Sequence, residues 1–388
     1  MNKLYNNYEQ VSSNLKQFFT NINISIPTYK LDFFVELIIS IILAESGVIS
    51  DISKKTFSYN HIQDESIHKK IRRLFDSKTF NSYDIFDSIV NFIIDNYTIK
   101  HDNNSLHITI DHMYCRDKFA TLMFTLRIGK QSIPLWYRCF KGQYNPDAFK
   151  EELIIEGINY IYNLFKSKNS NIIFLADRWF PNSNVLSHIN NLNCTYVFRA
   201  KSETKIKYFD KDEGHYIWKQ IKEFNHIKGR SKVLQNVEYT VSNPIKTNIV
   251  LGRSNDVKEP WVLITNGNTS DAVRNYSHRF GAIECNFKNN KSNGFYIEDT
   301  KIQKISSFEG MYLLVNIATL WLTIIGVDYS KNKNKYAKKL KIRDTKKTKS
   351  GHIKRIISFF NLGLTIFNKL LNSTIDLRLK CNFILYDI

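Results

Sequence analysis

The sequence lacks several features that define common classes of protein. Its five cysteines lie far apart and form no Cys-x-x-Cys pair, which argues against a zinc site or a disulfide framework. It has no Gly-x-Ser-x-Gly, phosphate-binding-loop or His-Glu-x-x-His motif, so neither a serine-hydrolase elbow, a nucleotide loop nor a zinc-protease helix is predicted. The first residues show no basic-then-apolar signal pattern, and we expect a reduced, cytoplasmic protein.

Acidic side chains are also scarce. The 388 residues contain 36 Asp and Glu against 55 Lys and Arg, a formal net charge of +19 at pH 7. Such an excess favours a polyanionic partner, most commonly nucleic acid, with a membrane surface as the rival. The sequence is rich in Ile, Asn, Lys and Phe. A coding bias toward A and T would produce the same enrichment. The charge therefore supports a nucleic-acid partner but does not prove one.

One apolar run needs a check against a membrane span. Residues 311–327 carry no charged side chain, and their length is at the short end of the range for a transmembrane helix. The polar residues Asn316, Thr319 and Thr323 within the run make it a poor lipid-facing helix. We predict a buried core helix and no membrane partner.

The pattern of the chain changes at four positions and predicts five segments. Residues 1–104 have helical periodicity and predict a helical DNA-binding domain, although an ordinary helical domain with a solvated basic face fits equally well. Residues 105–200 and 259–330 predict the two parts of an α/β core, and the polar, Lys-rich residues 201–258 between them predict an inserted β-rich segment. Residues 331–388 open with a dense basic run, either a solvated linker or a phosphate clamp, and predict a basic helical C-terminal region.

The predicted elements give the core its fold class. The elements expected in the first half are helices at 33–42, 64–75 and 83–96, strands at 106–111, 119–128 and 133–140, a helix opening at Asn145-Pro146, a strand at 171–176, a helix at 181–190 and a strand at 194–199. Those expected in the second half are a strand at 261–265, a helix over 276–295, an apolar helix at 311–327 and a final helix at 353–371. Three strands, helix, strand, helix, strand is the order of a ribonuclease-H-like α/β fold.

Three carboxylates stand in settings that allow them to converge. Asp111 ends the first predicted strand, Asp177 ends the fourth, and Glu284 lies on a predicted helix. Neighbouring strand-end acids repel each other unless a cation lies between them, and three hard oxygen ligands suit Mg²⁺. Each acid alone is also explained as a turn residue or a solvated helix residue. Together they predict a site for two Mg²⁺ ions, with Mn²⁺ as a substitute, that performs in-line phosphoryl transfer.

Two lysines follow Glu284 at helical spacing. Residues 284, 288 and 291 share one face of a helix, so Lys288 and Lys291 would stand beside the acid and could hold DNA phosphate. An ordinary i,i+4 Glu–Lys pair explains Lys288 well and Lys291 less well.

These residues resemble a known family, the DDE transposases of the insertion-sequence-four type, which include the transposon five and transposon ten enzymes. The first two blocks of the resemblance are Ile-Thr-Ile-Asp-His at 108–112 and Phe-Leu-Ala-Asp-Arg-Trp-Phe at 174–180. The third block, a signature of Tyr, Arg, Glu and Lys, consists of Tyr276, Arg279, Phe280, Ile283, Glu284, Phe287, Lys291, Ser292, Gly294 and Phe295. Its Arg-to-Glu spacing is one residue longer than the family pattern. The likeness covers roughly residues 105–327.

The resemblance implies a chemistry and a set of partners. By carry-over, Asp111, Asp177 and Glu284 would ligate the metal, while Tyr276, Arg279 and Lys291 would contact phosphates near the cleavage point. Members bind the terminal inverted repeats of their element as a dimer, nick the DNA, and transfer the strand to target DNA. We therefore expect DNA at transposon ends, target DNA and a second copy of the chain as partners.

More than one role is possible for the neighbouring aromatic residues, and more than one function for the protein. For Trp179 we expect a packing role rather than base stacking, for His112 a structural role rather than ligation, and Trp218 is a candidate for stacking on a flipped base. Two other functions compete with an active transposase: a catalytically inactive DNA-binding relative, and a ribonuclease-H-like nuclease that acts on other nucleic acid.

Overall fold

The computed structural model describes most of the chain. The described residues are 2–22, 24–59, 61–96, 105–129, 131–168, 170–224, 230–252, 261–292, 294–331, 340, 342–348 and 351–372. The helices are α1 Asn2–Asn21, α2 Thr28–Ala44, α3 Ile49–Ser53, α4 Asp64–Phe75, α5 Ser82–Asn96, α6 Glu151–Phe165, α7 Ser183–Asn191, α8 Ala272–Ser277, α9 Ile283–Lys291, α10 Ile305–Lys331 and α11 Phe359–Asn372. The strands are β1 Ser105–Cys115, β2 Phe119–Ile128, β3 Gln131–Lys141, β4 Asn171–Ala176, β5 Thr195–Arg199, β6 Lys205–Asp210, β7 His215–Gln220, β8 Lys232–Tyr239, β9 Ile245–Gly252, β10 Trp261–Thr265, β11 Thr345–Lys347 and β12 Ile353–Arg355.

A ten-stranded mixed sheet forms the centre of the fold, in the order β3-β2-β1-β4-β5-β10-β9-β8-β6-β7. Strands β1, β2 and β3 form an antiparallel meander, and β4 and β5 run parallel to β1. The other neighbours pair antiparallel. The predicted α/β class is therefore confirmed. The segment predicted as a β insertion does form β6 to β9, but these strands continue the same sheet, and the division into five domains remains a prediction.

Helices cover both faces of the sheet, which is why strands such as β4 and β10 are largely apolar. On one face α6 and α7 pack together, and on the other α8, α9 and α10 lie against the strands. Helix α10 contains the apolar run 311–327. Among the described residues it is the one helix long and apolar enough to cross a membrane, and its apolar part is fully buried inside the fold. This burial agrees with the predicted core helix.

Two glycines explain how closely α10 and α11 approach each other. A Cβ at Gly326 would lie 1.9 Å from the carbonyl oxygen of Phe359, and one at Gly363 would lie 1.8 Å from that of Leu322. Only a residue without a side chain fits at either contact. Each glycine destabilises its helix by about 1 kcal/mol relative to alanine, and in return the two backbones can pack in contact.

Three predicted boundaries were wrong for local physical reasons. The helix predicted over 276–295 is interrupted: α8 ends at Ser277, α9 begins at Ile283, and the turn between them contains Gly281, whose φ of 77° is left-handed. The helix predicted to open at Asn145-Pro146 starts as a 3₁₀ turn, and α6 begins only at Glu151. The final helix begins at Phe359, because residues 353–355 pair with β11 instead. Much of the predicted basic run 331–355 lies outside the described residues.

A buried carboxylate joins the N-terminal helices. Glu36 of α2 is 2% exposed, and it accepts hydrogen bonds from the Tyr8 hydroxyl of α1, from the Phe57 N–H and from Ser58 Oγ at 2.8 Å. Burial raises the pKa of Glu36, although the Ser58 and Phe57 donors oppose the rise. One side chain therefore fixes α1, α2 and the segment before α4 to each other.

The substitution Glu36→Ala should lower the free energy of unfolding by about 3 kcal/mol, because it leaves the Tyr8 hydroxyl and the Phe57 N–H buried without an acceptor. Urea denaturation measures the change. Glu36→Gln is the matched control, since its amide oxygen still accepts one of these bonds, and it should cost less than half as much. Equal stability of the alanine variant and the wild type would show that Glu36 does not fasten these helices.

Candidate active site

The first two acids lie side by side on neighbouring parallel strands. Asp111 does not end its strand as predicted, because the pairing of β1 with β2 continues past it to Cys115. The pairing of β1 with β4, however, stops at Ile110 and Ala176. Asp111 and Asp177 are the residues that directly follow this last pair. Neighbouring strands in a sheet are about 4.8 Å apart. The sheet thus places both carboxylates at the point where β1 and β4 separate.

A buried arginine links these acids to the third. Arg279 is only 7% exposed at its side chain, and its Nη2 donates to Asp111 Oδ2 at 2.6 Å. Its Nη1 lies 3.9 Å from Glu284 Oε1. A guanidinium is always charged and carries five donors in a planar fork, so one arginine can face several carboxylates. Asp111 and Glu284 therefore meet at Arg279.

The turn between α8 and α9 puts Arg279 in this position. Helix α8 is held on the sheet by Ala272 and Tyr276, which pack into a small apolar cluster with Trp261 and with residues of β4, β5 and β9. Arg279 follows one turn after Tyr276, and its N–H donates to the Tyr276 carbonyl at 3.0 Å. The left-handed Gly281 then redirects the chain so that Glu284 enters the first turn of α9. The extra residue relative to the family pattern falls within this turn.

The site carries more negative than positive charge. Burial raises the pKa of Asp111 to about 6; the Arg279 guanidinium and the His112 N–H oppose the rise, while Asp177 and Glu284 add to it. Three carboxylates, those of Asp111, Asp177 and Glu284, thus interact with the buried guanidinium of Arg279. Such an excess of negative charge, presented entirely by hard oxygen donors, fits a divalent cation such as Mg²⁺.

The acids are not gathered into a closed ligand cage. Within the described part of the chain, no group of three or more His, Cys, Asp or Glu side chains is close enough to hold a metal ion. The reason is visible at Arg279, which stands between Asp111 and Glu284 and binds an oxygen that a metal would need. The carboxylate oxygens still suit a metal in their chemistry. The ligand role of Asp111, Asp177 and Glu284 remains a prediction.

The three predicted phosphate contacts other than Arg279 lie in different environments. Lys288 is exposed on α9. Lys291 is instead paired with Glu298, Nζ to Oε1 at 2.8 Å, a partner the sequence did not reveal. Tyr276 is fully buried, with its ring edge-on to Trp261 and its hydroxyl without a hydrogen-bond partner among the described residues. In this conformation Tyr276 supports the site from beneath and does not reach its surface.

The aromatic residues near the second acid also differ from expectation. The predicted packing role for Trp179 was wrong, because its side chain is 68% exposed and Lys201 Nζ lies 4.6 Å from its ring centroid. His112 points to the opposite face of the sheet, with Nε2 at 2.7 Å from the Ala148 carbonyl oxygen and its ring stacked on Phe180. This position fits the structural role predicted for His112.

An exposed aromatic face lies on the hairpin of β6 and β7, at the far edge of the sheet. The cross-strand pairs Lys207–Trp218 and Phe209–Tyr216 put four side chains on one face. Phe209, Tyr216 and Trp218 are 50%, 61% and 38% exposed. Lys207 Nζ lies 5.9 Å from the Tyr216 ring centroid. Aromatic rings interleaved with lysine are typical of surfaces that stack unpaired bases and hold their phosphates.

The register of the sheet shows which way this aromatic face points. Lys207 pairs with Glu238 of β8, and Glu238 pairs with Lys246 of β9. Val250 lies four residues further along β9, on the same face as Lys246, and belongs to the apolar cluster under α8. The aromatic hairpin face therefore lies on the side of the sheet that carries α8 and the acids. Trp218 remains a candidate for base stacking.

Comparisons with known proteins add little to this geometry. No protein-family model matches the chain, and no curated protein matches its sequence. One solved structure that resembles it is endonuclease V of Ciona intestinalis in complex with a 24mer DNA containing an inosine followed by a ribo-adenosine. That match has 15% sequence identity, covers 49% of this chain and 85% of that chain, and has a TM-score of 0.24. A likeness this low carries no argument, so function is argued from the site.

Proposed function

We propose that the protein is a DDE-type DNA transposase of an insertion sequence, which binds terminal inverted repeats and catalyses metal-dependent strand cleavage and strand transfer. The observation that carries the proposal is the buried Arg279, which pairs with Asp111, lies 3.9 Å from Glu284 and interacts electrostatically with Asp177. That charge arrangement supports metal-dependent phosphoryl transfer. The narrower assignment to a transposase rests on the three sequence blocks that resemble the family.

The element order supports the fold that this chemistry needs. An antiparallel meander is followed by helix, parallel strand, helix and parallel strand, the order expected of a ribonuclease-H-like core. Asp111 lies on β1 and Asp177 directly follows β4, the two central strands of that core, and Glu284 approaches Arg279 from a helix that packs against β1. Strands fix the first two carboxylates, and a short helix can adjust the third. Such an arrangement suits a site that must admit a bulky polymer.

The residues of the site divide the work of a phosphoryl transfer. Asp111, Asp177 and Glu284 would hold Mg²⁺, which as one or two bound ions would supply the Lewis acid for in-line displacement by water or a 3′-hydroxyl. Arg279 pairs with Asp111 and would be free to contact a phosphate if a cation took its place beside the acids. Lys288, exposed on the same helix as Glu284, can hold a neighbouring phosphate. No side chain is required as a nucleophile.

Other surfaces support DNA as the substrate. The net charge of +19 gives the polyanion a general attraction. The aromatic hairpin face stands on the active-site side of the sheet, where bases unpaired near a cleaved end could stack on Tyr216 and Trp218. A second copy of the chain would pair the two ends of the element, as the family resemblance implies.

The proposal is tested with the DNA that flanks the gene. Purified protein and Mg²⁺ should nick labelled duplexes that carry the inverted repeats bordering the gene, at the repeat boundary, and should not nick duplexes of the same composition with the repeats scrambled. Chelation of the metal should stop the reaction. Sequencing gels of the products measure both the rate and the position of the cut.

The alternatives give different results in the same assay. Equal cleavage of the repeat and scrambled duplexes would replace the transposase with a general nuclease of the same fold. Binding to the repeats without any cleavage in Mg²⁺ or Mn²⁺ would identify a catalytically inactive DNA-binding relative. Protein that neither binds nor cleaves either duplex would refute DNA as the substrate.

A further inference from the structure

A second charged site lies away from the acids, in a cleft between α4 and the segment that leads into α10. The cleft has a volume of about 410 Å³, which lies in the range of roughly 300–1,000 Å³ found for ligand pockets. One wall presents His68 and Arg72, one helical turn apart on α4, and the other presents Lys301 and Lys304. Two parts of the chain that are distant in sequence thus turn cationic side chains toward one space, Arg72 from the first and Lys301 and Lys304 from the second.

Asp76, the one acid among the described residues that line the cleft, is already neutralised. Asp76 Oδ1 accepts from Lys304 Nζ at 2.8 Å and from Ser306 Oγ at 3.0 Å, and Lys304 holds the pKa of Asp76 below its usual value. The side chains of Arg72 and Lys301, by contrast, form no hydrogen bond or ion pair with any described residue, and both residues are exposed. The cleft therefore keeps two unpaired cations.

The chemistry of the walls selects phosphate rather than a base. Among the described residues that line the cleft there is no Phe, Tyr or Trp on which a base could stack. The hydroxyl groups of Ser50 and Ser307 also line the cleft and can add hydrogen bonds to an anion. The cleft also adjoins the N-terminal end of the long helix α10, where the helix dipole favours negative charge.

The cleft is connected to the candidate active site through α9. Lys291 at the end of α9 pairs with Glu298, and Lys301 follows Glu298 three residues later. Glu284 and Lys291 are separated by about 10 Å along the helix axis, at 1.5 Å per residue. One continuous stretch of chain thus leads from Glu284 through α9 and Glu298 to Lys301 in the cleft.

We propose that this cleft is a docking site for the DNA backbone, in which Arg72 and Lys301 each bind a phosphate of the duplex that enters the active site. The assignment rests on the proposed function for DNA as the ligand, but it concerns binding and not cleavage. Because phosphate contacts carry no sequence information, the cleft would hold duplex DNA of any sequence. It would set the position of the duplex relative to the acids.

The test measures how duplex binding depends on salt. The full-length protein is titrated onto a labelled random-sequence duplex at several KCl concentrations, for the wild type and for Arg72→Gln, Lys301→Gln and the double variant. Each single substitution should reduce the slope of log K against log salt by about 1, and the double by about 2. At 0.1 M salt each should weaken binding roughly five- to tenfold. Lys166→Gln, which removes one exposed charge beyond α6, is the matched control and should change neither quantity.

The outcomes separate the cleft from the proposed function. If the wild type binds the duplex with a clear salt dependence and all single variants behave like Lys166→Gln, the cleft is not a phosphate site, while the proposed function stands. If the wild type does not bind duplex DNA at all, the proposed function and the cleft fail together. Equal melting temperatures of the variants and the wild type show that a lost contact is not lost folding.

Discussion

Asp177→Asn should reduce DNA cleavage by about a thousandfold, because a metal ligand contributes several kcal/mol of transition-state stabilisation. The substitution removes a charge without changing the shape of the side chain. Asp177 Oδ1 accepts a hydrogen bond from the Arg178 N–H at 2.7 Å, and the amide oxygen of asparagine can accept the same bond. The turn after β4 should therefore stay folded, and duplex binding should stay within about threefold of the wild type. Single-turnover cleavage and equilibrium binding measure the two effects separately.

Asp95→Asn is the control for this experiment. Asp95 is exposed near the end of α5, on an element that does not touch the acids, so its neutralisation should leave cleavage unchanged. A variant Asp177→Asn that cleaves as fast as Asp95→Asn would remove Asp177 from the catalytic site. Loss of cleavage together with loss of binding would instead assign Asp177 to DNA contact.

The positions of Asp111 and Asp177 could be predicted because each follows a local apolar run. A run of alternating or continuous apolar residues predicts a strand, and a parallel partner predicts that the two ends are neighbours. The structure supports this logic for the pair, although β1 continues past Asp111 to Cys115 because its other neighbour, β2, is a hairpin partner of nearly equal length. The pairing of a central strand with one neighbour can stop at a different residue from its pairing with the other neighbour. The sequence alone shows neither residue.

The surroundings of Glu284 could not be predicted from the sequence, because they depend on contacts between distant segments. The sequence contains Gly281, but only the fold makes it a left-handed break between α8 and α9. Lys291 shares a helix face with Glu284, as the spacing indicates, but it binds Glu298 on a later turn of the chain. The burial of Tyr276 against Trp261 and the exposure of Trp179 likewise follow from packing and not from local pattern.

Arg279 is the residue whose role changes most between sequence and structure. The resemblance assigned it to DNA phosphate, while the structure surrounds it with carboxylates at 2.6 and 3.9 Å. The signal was present in the charge argument itself, since three acids that repel one another need a cation. An ionised side chain can meet that need as well as a metal. The two roles are compatible if Arg279 holds the acids until the metal and the DNA arrive.

Arg279→Met should lower the free energy of unfolding by about 3–5 kcal/mol in the absence of divalent ions, because it leaves a partly buried Asp111 beside two other acids without a partner. Methionine keeps much of the length and apolar volume of the side chain, so lost packing contributes little. If the acids form a metal site, adding Mg²⁺ should stabilise Arg279→Met more than it stabilises the wild type, since the cation replaces the missing guanidinium. Thermal and urea denaturation, with Mg²⁺ and with chelator, measure both effects.

Arg116→Met provides the matched control, because Arg116 pairs with Asp299 at the same distance of 2.6 Å but both side chains are more than half exposed. Screening by solvent makes such a pair worth at most about 1 kcal/mol, and its loss should not create a response to Mg²⁺. Equal destabilisation by the two substitutions would show that Asp111 does not depend on Arg279. A destabilised Arg279→Met that gains no more from Mg²⁺ than the wild type would show that arginine alone, and not a metal, balances these three acids.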